Sequence, residues 1–575
     1  MSDKQNDGLV GYWKLEKDCR DYSGKDNHGV NHGVNFKTGE WKKSYVEVPA
    51  NDSLNFGTGD FSISALISTK KDMTDVVGDI MSKYDSEKRK GFNLNINASA
   101  PGYSSQGNDK HVQFGIDNGT MSEWQDCGRP MADCNFVTAL TVFNGELYVG
   151  TSDSPKEQNW CHVMRYRGKG KWEDCGRLGK LKITTAVAMV AHDGNLYAAT
   201  SNYGWSNWEA PGWGNNPRRD HGELDTQCHV FRYKGGKKWE DIGWAGSAAS
   251  EPRIWGMASY KGKLYVAADG GVYEYEGGTQ WKNSYQFTRV TASMSVYDGK
   301  LYVHPHVGPV WTYDGKEWEN IGNPYLTSEN CNQIHCMTVY RGELYVGTWP
   351  LGKIAVHREG KWVDCCQIPF TPEIYSFAVY NGKLYIATIP YGDIFRYEEW
   401  ANQKGKGYYE EWQKLSFANG TFLKRPVPQD PLPNAWRHWT RPTSMTVYDG
   451  KLYLSLGSGS SNIKDAPCDQ RGKVFCMEAG KNVSYDKDLG IGWQHIAAVK
   501  EGGKLKLFVD GKLVKESLVS FKAKDYDISN NEPLKIGFGQ LNYFAGKIKE
   551  VRLYNKAIGS GEVKNIFNGI TALRT

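Results

Sequence analysis

A chain of 575 residues is longer than a single hydrophobic core supports and points to two or more domains. Its 21 Trp, 34 Tyr, 20 Phe and 65 Gly suit an all-β protein with many turns, while a formal net charge of +5 without a basic run gives no footprint for nucleic acid. No apolar run approaches the roughly 18 residues of a membrane-spanning helix, so no membrane partner is expected.

The first residues, Met1–Asp7, are polar and lack the apolar core of a signal peptide, so the chain stays inside the cell unless its start has been processed. Twelve cysteines include no C-x-x-C pair, which fits neither a zinc ribbon nor a small disulfide scaffold; buried thiols are expected. Gly8–Leu15 alternates as an opening strand, and Asp21–Gly29 is a polar loop dense in turn formers. Alternating strands follow at Tyr45–Val48, Phe61–Ile67, Phe92–Ile96 and Val112–Ile116, with no Pro-rich or Gly/Ser-rich linker to divide them.

The run GLVGYWKLEKDCRDYSGKDNHGV at residues 8–30 resembles the opening of LamG-like, concanavalin A-like jelly rolls. The matching end of that fold stands far downstream. GWQHIAAV at Gly492–Val499, LKLFVDGKLV at Leu505–Val514 and FAGKIKEVRLYN at Phe544–Asn555 resemble the family's W-H-H-V-A, L-Y-V-D-G and G-x-I-D-E-V-R-I-Y motifs. The resemblance implies a β-sandwich in two halves, residues 1–120 and 483–575, with residues 121–482 inserted in one of its loops, where long inserts are tolerated. It also implies an extracellular or cell-surface setting if the start is processed. Asp21, Asn27 and Glu550 match positions that in LamG-like domains often hold calcium, an ion that takes hard oxygen ligands; the alternative is an Asx-turn loop without metal. His495 follows the family pattern as a core residue.

Within residues 121–482 a strand pair close to x-M-x-V-Y-[DN]-G-K-L-Y-V-x-T recurs seven times, at Ala139–Thr151, Ala188–Thr200, Gly256–Ala268, Ser293–Pro305, Cys336–Thr348, Ser376–Thr388 and Ser444–Leu456. Asn-Gly and Asp-Gly between alternating apolar residues form hairpins because both turn residues need positive φ. A third strand follows (His162–Tyr166, His229–Tyr233), then a fourth opening on Trp172, Trp239, Trp281, Trp318, Trp362 or Trp412. Four strands in each of seven repeats predict a seven-bladed β-propeller. The seventh repeat lacks a Trp strand, and an orphan one, Glu123–Gly128, precedes the first and is expected to complete it.

The repeats serve as an internal comparison. Counting back from the residue before each turn (Phe143, His192, Tyr260, Tyr297, Tyr340, Tyr380, Tyr448), the fourth position is always small and the third large and apolar, as packing requires. Uniformity ends five and seven positions back, at Thr138/Phe136, Val187/Thr185, Trp255/Arg253, Ala292/Val290, His335/Gln333, Tyr375/Glu373 and Thr443/Arg441. Alternation puts both members of a pair on one face, so Arg253, Trp255, Gln333, His335, Glu373, Tyr375 and Arg441 are expected to converge at one mouth. Loops opening there add His304 and His306, Tyr203, Trp205 and His221 from a long insert, Arg437, Trp349 and Tyr391. His304 and His306 share a face of an extended strand: they either line a channel or act as acid, base or metal ligands, with His335 as a third zinc ligand.

Aromatic rings stack on sugar faces and Arg pairs with carboxylate or sulfate. The set therefore predicts binding of an oligo- or polysaccharide, anionic in character. Cleavage by β-elimination would use His335 or His306 as base, Arg253 and Arg441 on the uronate carboxylate, and Tyr375 as proton donor. Hydrolysis would need two carboxylates, and Glu373 with Asp220 are the candidates. The alternatives are a non-catalytic glycan-binding or scaffold protein with a lectin-like sandwich and, more weakly, a metal-dependent oxidoreductase.

Overall fold

The computed structural model describes residues 7–70, 77–100, 105–152, 154, 156–201, 225, 227–246, 253–268, 270–287, 291–305, 308–324, 333–368, 371–389, 392–398, 412–415, 440–458 and 471–572. The chain is all-β; among the described residues there is one α-helix, Ser560–Ala572.

Both ends of the chain build the same sheets. One sheet runs in the order Leu9–Trp13, Lys547–Tyr554, Phe61–Thr69, Gly492–Glu501, Lys504–Val509, Lys512–Glu516. Another orders Val30–His32, Tyr45–Val48, Leu534–Ile536, Gly78–Asp85, Lys90–Ala100 and Ser105–Met121, with Ala479–Tyr485 paired to the last. Period-2 alternation explains the core between them: Phe61, Ile63, Ala65 and Ile67 point inward against Phe92, Phe114, Val483, Leu507 and Val551. The opposite face of the first sheet is covered in its turn, because Leu66, Ala497 and Phe508 pack under Val563, Ile566 and Ile570 of the helix. The strand Ala479–Tyr485, paired with Ser105–Met121 of the sandwich, runs across the expected boundary at 482/483 and begins four residues before it.

The repeats form seven four-stranded antiparallel units. The first four strands are Phe136–Phe143, Glu146–Ser152, His162–Tyr166 and Trp172–Arg177, and the pattern continues to Thr440–Tyr448, Lys451–Ser458 and Val474–Met477. The orphan Trp segment completes the last unit as expected: Gln125 and Asp126 pair with Cys476 and Phe475. Each first strand packs against the first strand of the next unit, and that of the seventh against that of the first.

Two side-chain devices tie neighbours together. The Tyr before the turn donates its hydroxyl to the turn glycine carbonyl of the following unit: Tyr260 to Gly299 (2.7 Å), Tyr297 to Gly342 (2.6 Å), Tyr380 to Gly450 (2.8 Å) and, from last to first, Tyr448 to Gly145 (3.4 Å). The Trp of the fourth strand donates Nε1–H backward, as Trp172 does to the Cys127 carbonyl and Trp239 to that of Cys175, both at 2.9 Å.

The turns of units one, four, five, six and seven face the sandwich. Gly145 N–H donates to the Asp486 carbonyl (2.7 Å), Asp449 N–H to the Asp486 carboxylate (2.9 Å), and Asn381 Nδ2 to the carbonyls of Ile116 and Ala479 (3.0 and 2.8 Å). Gly115 has to be glycine there, since a Cβ would lie 2.0 Å from Asn381 Oδ1. From the same side the hairpin of Lys90–Ala100 and Ser105–Met121 runs up among the first strands of units one, two, three, four and seven. Its backbone pairs in parallel with unit three, Ser105 opposite Met257 and Gln106 opposite Ala258. The sequence places only the hairpin's base, Phe92–Ile96 and Val112–Ile116, in strands; the polar run between them hides the rest.

Asp79 is fully buried and bonds Leu541 N–H and Asn542 N–H through Oδ2 (2.8 and 3.0 Å), pinning the loop that meets the unit five turn. Burial pushes its carboxyl up to about 7 from 3.8, against the pull of those two bonds. A raised carboxylate pKa penalises the ionised folded form, so this group's contribution to stability falls as pH rises from about 4 to about 7. Asp79→Asn is expected to flatten that part of the stability–pH curve by about 2–4 kcal/mol in denaturant titrations across the range. Tyr297→Phe should cost about 1–2 kcal/mol, because the Gly342 carbonyl loses its donor, and Tyr448→Phe, with the longer bond, less; urea unfolding compares the two.

Candidate functional site

All seven first strands carry a β-bulge at one position. The register skips Thr138, Val187, Trp255, Ala292, His335, Tyr375 and Thr443, the residues five back from each turn. A bulge leaves its extra residue outside the ladder and re-aims its side chain. It also frees the preceding carbonyl, which accepts a bond from the neighbouring unit. Thr138 Oγ1 donates to the Ala186 carbonyl, Thr443 Oγ1 to that of Val137, Ser376 Oγ to that of Pro442 (3.1 Å) and Cys336 Sγ to that of Ile374 (3.4 Å). Threonine at the bulge in units one and seven therefore ties units together. Trp255, His335 and Tyr375 occupy the same backbone position with larger functional groups.

In units five and six those groups meet. His335 Nδ1 lies 2.9 Å from Glu373 Oε1, and His335 Nε2 lies 2.8 Å from Gln333 Oε1. The Nδ1–Glu373 contact is a close charge approach without hydrogen-bond alignment, since Glu373 Oε1 has no hydrogen-bond partner among the described residues, and Gln333 Oε1 accepts from Nε2 when that nitrogen carries the proton. The Tyr375 ring stands 6.1 Å from the His335 ring, tilted by 31°. His335, Glu373 and Tyr375 are all nearly buried, so the carboxylate–imidazole pair sits in a poorly hydrated setting. Cys336 is fully buried alongside; burial, then the Glu373 charge, holds its thiol well above the ordinary value, which removes it as a nucleophile.

In unit three the Arg253 guanidinium lies 5.8 Å from the Trp255 ring centroid. Trp255 is buried and Arg253 half-buried. Arg441, in unit seven, is buried opposite Gly457, where a Cβ would lie 2.0 Å from Phe136 Cδ1. Trp349 is half-buried opposite Gln333 on the second strand of unit five. The structure thus joins Gln333, His335, Glu373 and Tyr375 in one cluster and Arg253 with Trp255 in another. Simple alternation would have paired the five-back and seven-back residues without a bulge; the contacts within units three and five arise across it.

His304 departs from the expectation of a mouth residue. It is buried on the second strand opposite Ser293, where other units carry Gly150, Ala199, Ala267 or Gly347, and its Nε2 lies 2.9 Å from the Gly308 carbonyl. No group of three or more His, Cys, Asp or Glu side chains able to hold a metal occurs among the described residues; the zinc trio with His335 would need His306, which lies outside them. His306, Tyr203, Trp205, His221, Asp220, Arg437 and Tyr391 lie outside the described residues.

In the sandwich, Asp21 is buried with both oxygens engaged. Oδ1 accepts from Tyr12 N–H and Ser23 N–H (2.8 Å each), and Oδ2 from Ser23 Oγ (2.8 Å) and Asn27 N–H (3.0 Å). Four donors fill the acceptor capacity of a carboxylate. Asn27 Nδ2 donates to the Val10 carbonyl (2.7 Å), and Glu550 Oε2 accepts from Tyr12 Oη (2.8 Å) and Arg552 (2.5 Å). The bonds are those of the self-bonded Asx loop, the alternative to a calcium site, with Glu550 also paired to Arg552.

Residues 432–564 match the model of the concanavalin A-like lectin/glucanases superfamily. Comparison with curated proteins finds no match. Among solved structures, the extracellular domain assigned to a one component system of B. thetaiotaomicron is similar at 13% identity and a TM-score of 0.38, covering 62% of this chain; this chain spans 40% of that one's length. The computationally designed Ika8 protein is similar at 10% identity and a TM-score of 0.35, with 72% of this chain and 99% of that one covered. BamB from Moraxella catarrhalis is similar at 10% identity and a TM-score of 0.33, with 72% and 97% covered.

If the Asp21 loop holds itself, millimolar chelator leaves the thermal midpoint within about 1 °C and added calcium does not raise it, whereas a ligand bound at 100 times its Kd would stabilise by about 2.7 kcal/mol. Scanning calorimetry with and without chelator separates the two.

Proposed function

We propose that the seven units close into a seven-bladed β-propeller set into a loop of the concanavalin A-like sandwich, and that the first-strand entrances form a mouth for an anionic oligo- or polysaccharide. The observation that carries this reading is the Gln333–His335–Glu373–Tyr375 cluster, built at bulge and entrance positions where two other units spend threonine on inter-unit bonds. Arg253 beside Trp255 pairs a cation with an aromatic face, the two groups that recognise an acidic sugar ring. Arg441 adds a second cation on unit seven. The concanavalin A-like match supports carbohydrate binding and an extracellular setting at the level of the superfamily.

The hairpin from the sandwich narrows the ligand further. Its described backbone lies among the first strands of units one, two, three, four and seven and reaches Ser105 opposite Met257, two residues from Trp255, which puts protein in the channel behind unit three's part of the mouth. A mouth so backed, with nearly buried groups, suits the end of a glycan chain better than a strand threading through.

A second reading, cleavage by β-elimination, is supported by one observation: the Glu373 carboxylate stands 2.9 Å from His335 Nδ1, so a carboxylate and an imidazole, the pair a general base uses, are side by side. In that step the Gln333 contact on His335 Nε2 opens, Nε2 takes the proton on the carbon next to the uronate carboxylate, a C=C bond forms, the C–O bond to the leaving sugar breaks, and Tyr375 gives its proton to the departing oxygen. Arg253 and Arg441 offset the charge that builds on the carboxylate.

Isothermal titration of the full chain with acidic and neutral oligosaccharides tests the reading. An acidic oligosaccharide is expected to bind, Arg253→Ala and His335→Gln to weaken it by about tenfold or more (roughly 1.4 kcal/mol or above), and a neutral one to bind much less. Growth of unsaturated-uronate absorbance, lost in His335→Gln and in Tyr375→Phe, would establish elimination. Equal binding of acidic and neutral chains, or no effect of either first substitution, would sink the mouth as the site.

A further inference from the structure

The junction of sandwich and repeats holds a crevice of about 380 Å³ that the mouth does not involve. Its walls come from four places: the segment Glu40–Lys43, Lys70 at the end of a sandwich strand, the loop 542–546, and the unit four turn 297–299. The volume matches one sugar ring or a molecule of that size, and clefts between domains are common ligand sites.

Charge decides what it would take. Lys70 Nζ bonds Glu40 Oε1 at 2.6 Å, and Lys43 Nζ bonds Asp298 Oδ2 at 2.8 Å, the second pair running from sandwich to unit four. The hydrogen bond and charge of Lys70, and more weakly the charge of Lys547, hold the Glu40 carboxyl below its ordinary value. Lys42 is exposed on the lining and has no acidic partner among the described residues. Among the described residues on the lining, the three ammonium groups of Lys42, Lys43 and Lys70, with Lys547 behind them, thus face two carboxylates. An anion entering the crevice meets net positive charge and can displace the exposed Lys70–Glu40 pair, which costs little in water.

The frame around these charges is stiff. Trp41 is buried, donates its backbone N–H to the Gly546 carbonyl (2.9 Å), and lies so close to Gly537 that a Cβ there would come within 2.3 Å of Cε3. The half-buried Tyr543 ring stacks on Phe538 with centroids 4.1 Å apart and supplies an apolar wall. Aromatic wall, fixed backbone and excess ammonium groups are the parts of a site for a small oxyanion-bearing molecule.

We propose that this crevice is a second binding site, for a ligand of about one sugar ring that carries a carboxylate or a phosphate, held by Lys42, Lys43 and Lys70 between the sandwich and the fourth unit. It uses none of the mouth residues and stands or falls separately from the mouth.

The test is ligand-observed NMR and calorimetry on the full chain with glucuronate, glucose 6-phosphate and glucose as probes. At least one of the two anions is expected to bind saturably and glucose not; which anion binds tells carboxylate from phosphate. The double substitution Lys42→Ala/Lys70→Ala, at exposed positions that leave Trp41 and the Lys43–Asp298 pair in place, should weaken that binding by tenfold or more. His335→Gln should leave it unchanged. No binding of either anion, binding of glucose as tight as theirs, binding indifferent to the lysine substitutions, or binding lost in His335→Gln would each overturn the proposal.

Discussion

The bond from one unit to the next governs this structure. A four-stranded sheet of this kind leaves its faces and its innermost strand unfinished, and each unit is completed by side chains that reach its neighbour. The turn tyrosine spans to the next turn glycine carbonyl, the fourth-strand Trp reaches back, and the bulge frees a carbonyl for a threonine, serine or cysteine of the preceding unit. These contacts fix the spacing of the first strands. The first-strand entrances, where ligand-binding groups can stand, inherit their positions from that spacing.

The bulge is where structure and site compete. One backbone position per unit is released from the ladder; Thr138 and Thr443 use it to tie neighbouring units, Val187 and Ala292 leave it inert, and His335 and Tyr375 put larger functional groups there. Units five and six keep their tie through the next residue, Cys336 or Ser376, so the released position can carry chemistry without loosening the contact. The sandwich contributes from the opposite side. It braces five of the seven turns and sends its long hairpin up among the first strands, so the two folds act as one support for the entrance.

Much of the architecture was legible in the sequence because it repeats. Seven X-Gly turns, five of them Asn-Gly or Asp-Gly, the Trp-led fourth strands and the orphan strand at Trp124 encode the units and the pairing of Gln125–Asp126 with the seventh, and the WQHIAAV and KEVRLY runs encode a sandwich built from both ends of the chain. The odd residues five and seven back from the turn residue marked Arg253, Trp255, Gln333, His335, Glu373, Tyr375 and Arg441 as one group, of which contacts join Gln333, His335, Glu373 and Tyr375 and, separately, Arg253 with Trp255. What the sequence does not display is anything that depends on a non-periodic contact. The bulge has no residue signature, since Val187, Trp255 and Thr443 share it. The hairpin's upper half is a polar run that reads as a loop until strands from several units flank it. His304 looks like a mouth residue by its neighbour His306, yet it fills the place of a small residue and bonds Gly308. In the Asp21 loop, the residues that suggested calcium bond one another and the neighbouring backbone, a pattern the sequence does not display.

The central claim is that an acidic glycan is held at the entrance formed by units three, five, six and seven. The most direct measurement is an experimental structure of the full chain crystallised with an acidic oligosaccharide. The account requires a sugar carboxylate within about 3 Å of the Arg253 or Arg441 guanidinium, with a ring stacked near Trp255 and the reducing or non-reducing end turned toward His335. A glycan found on the sandwich or at the outer strands, with the His335–Glu373 pair untouched, would contradict it.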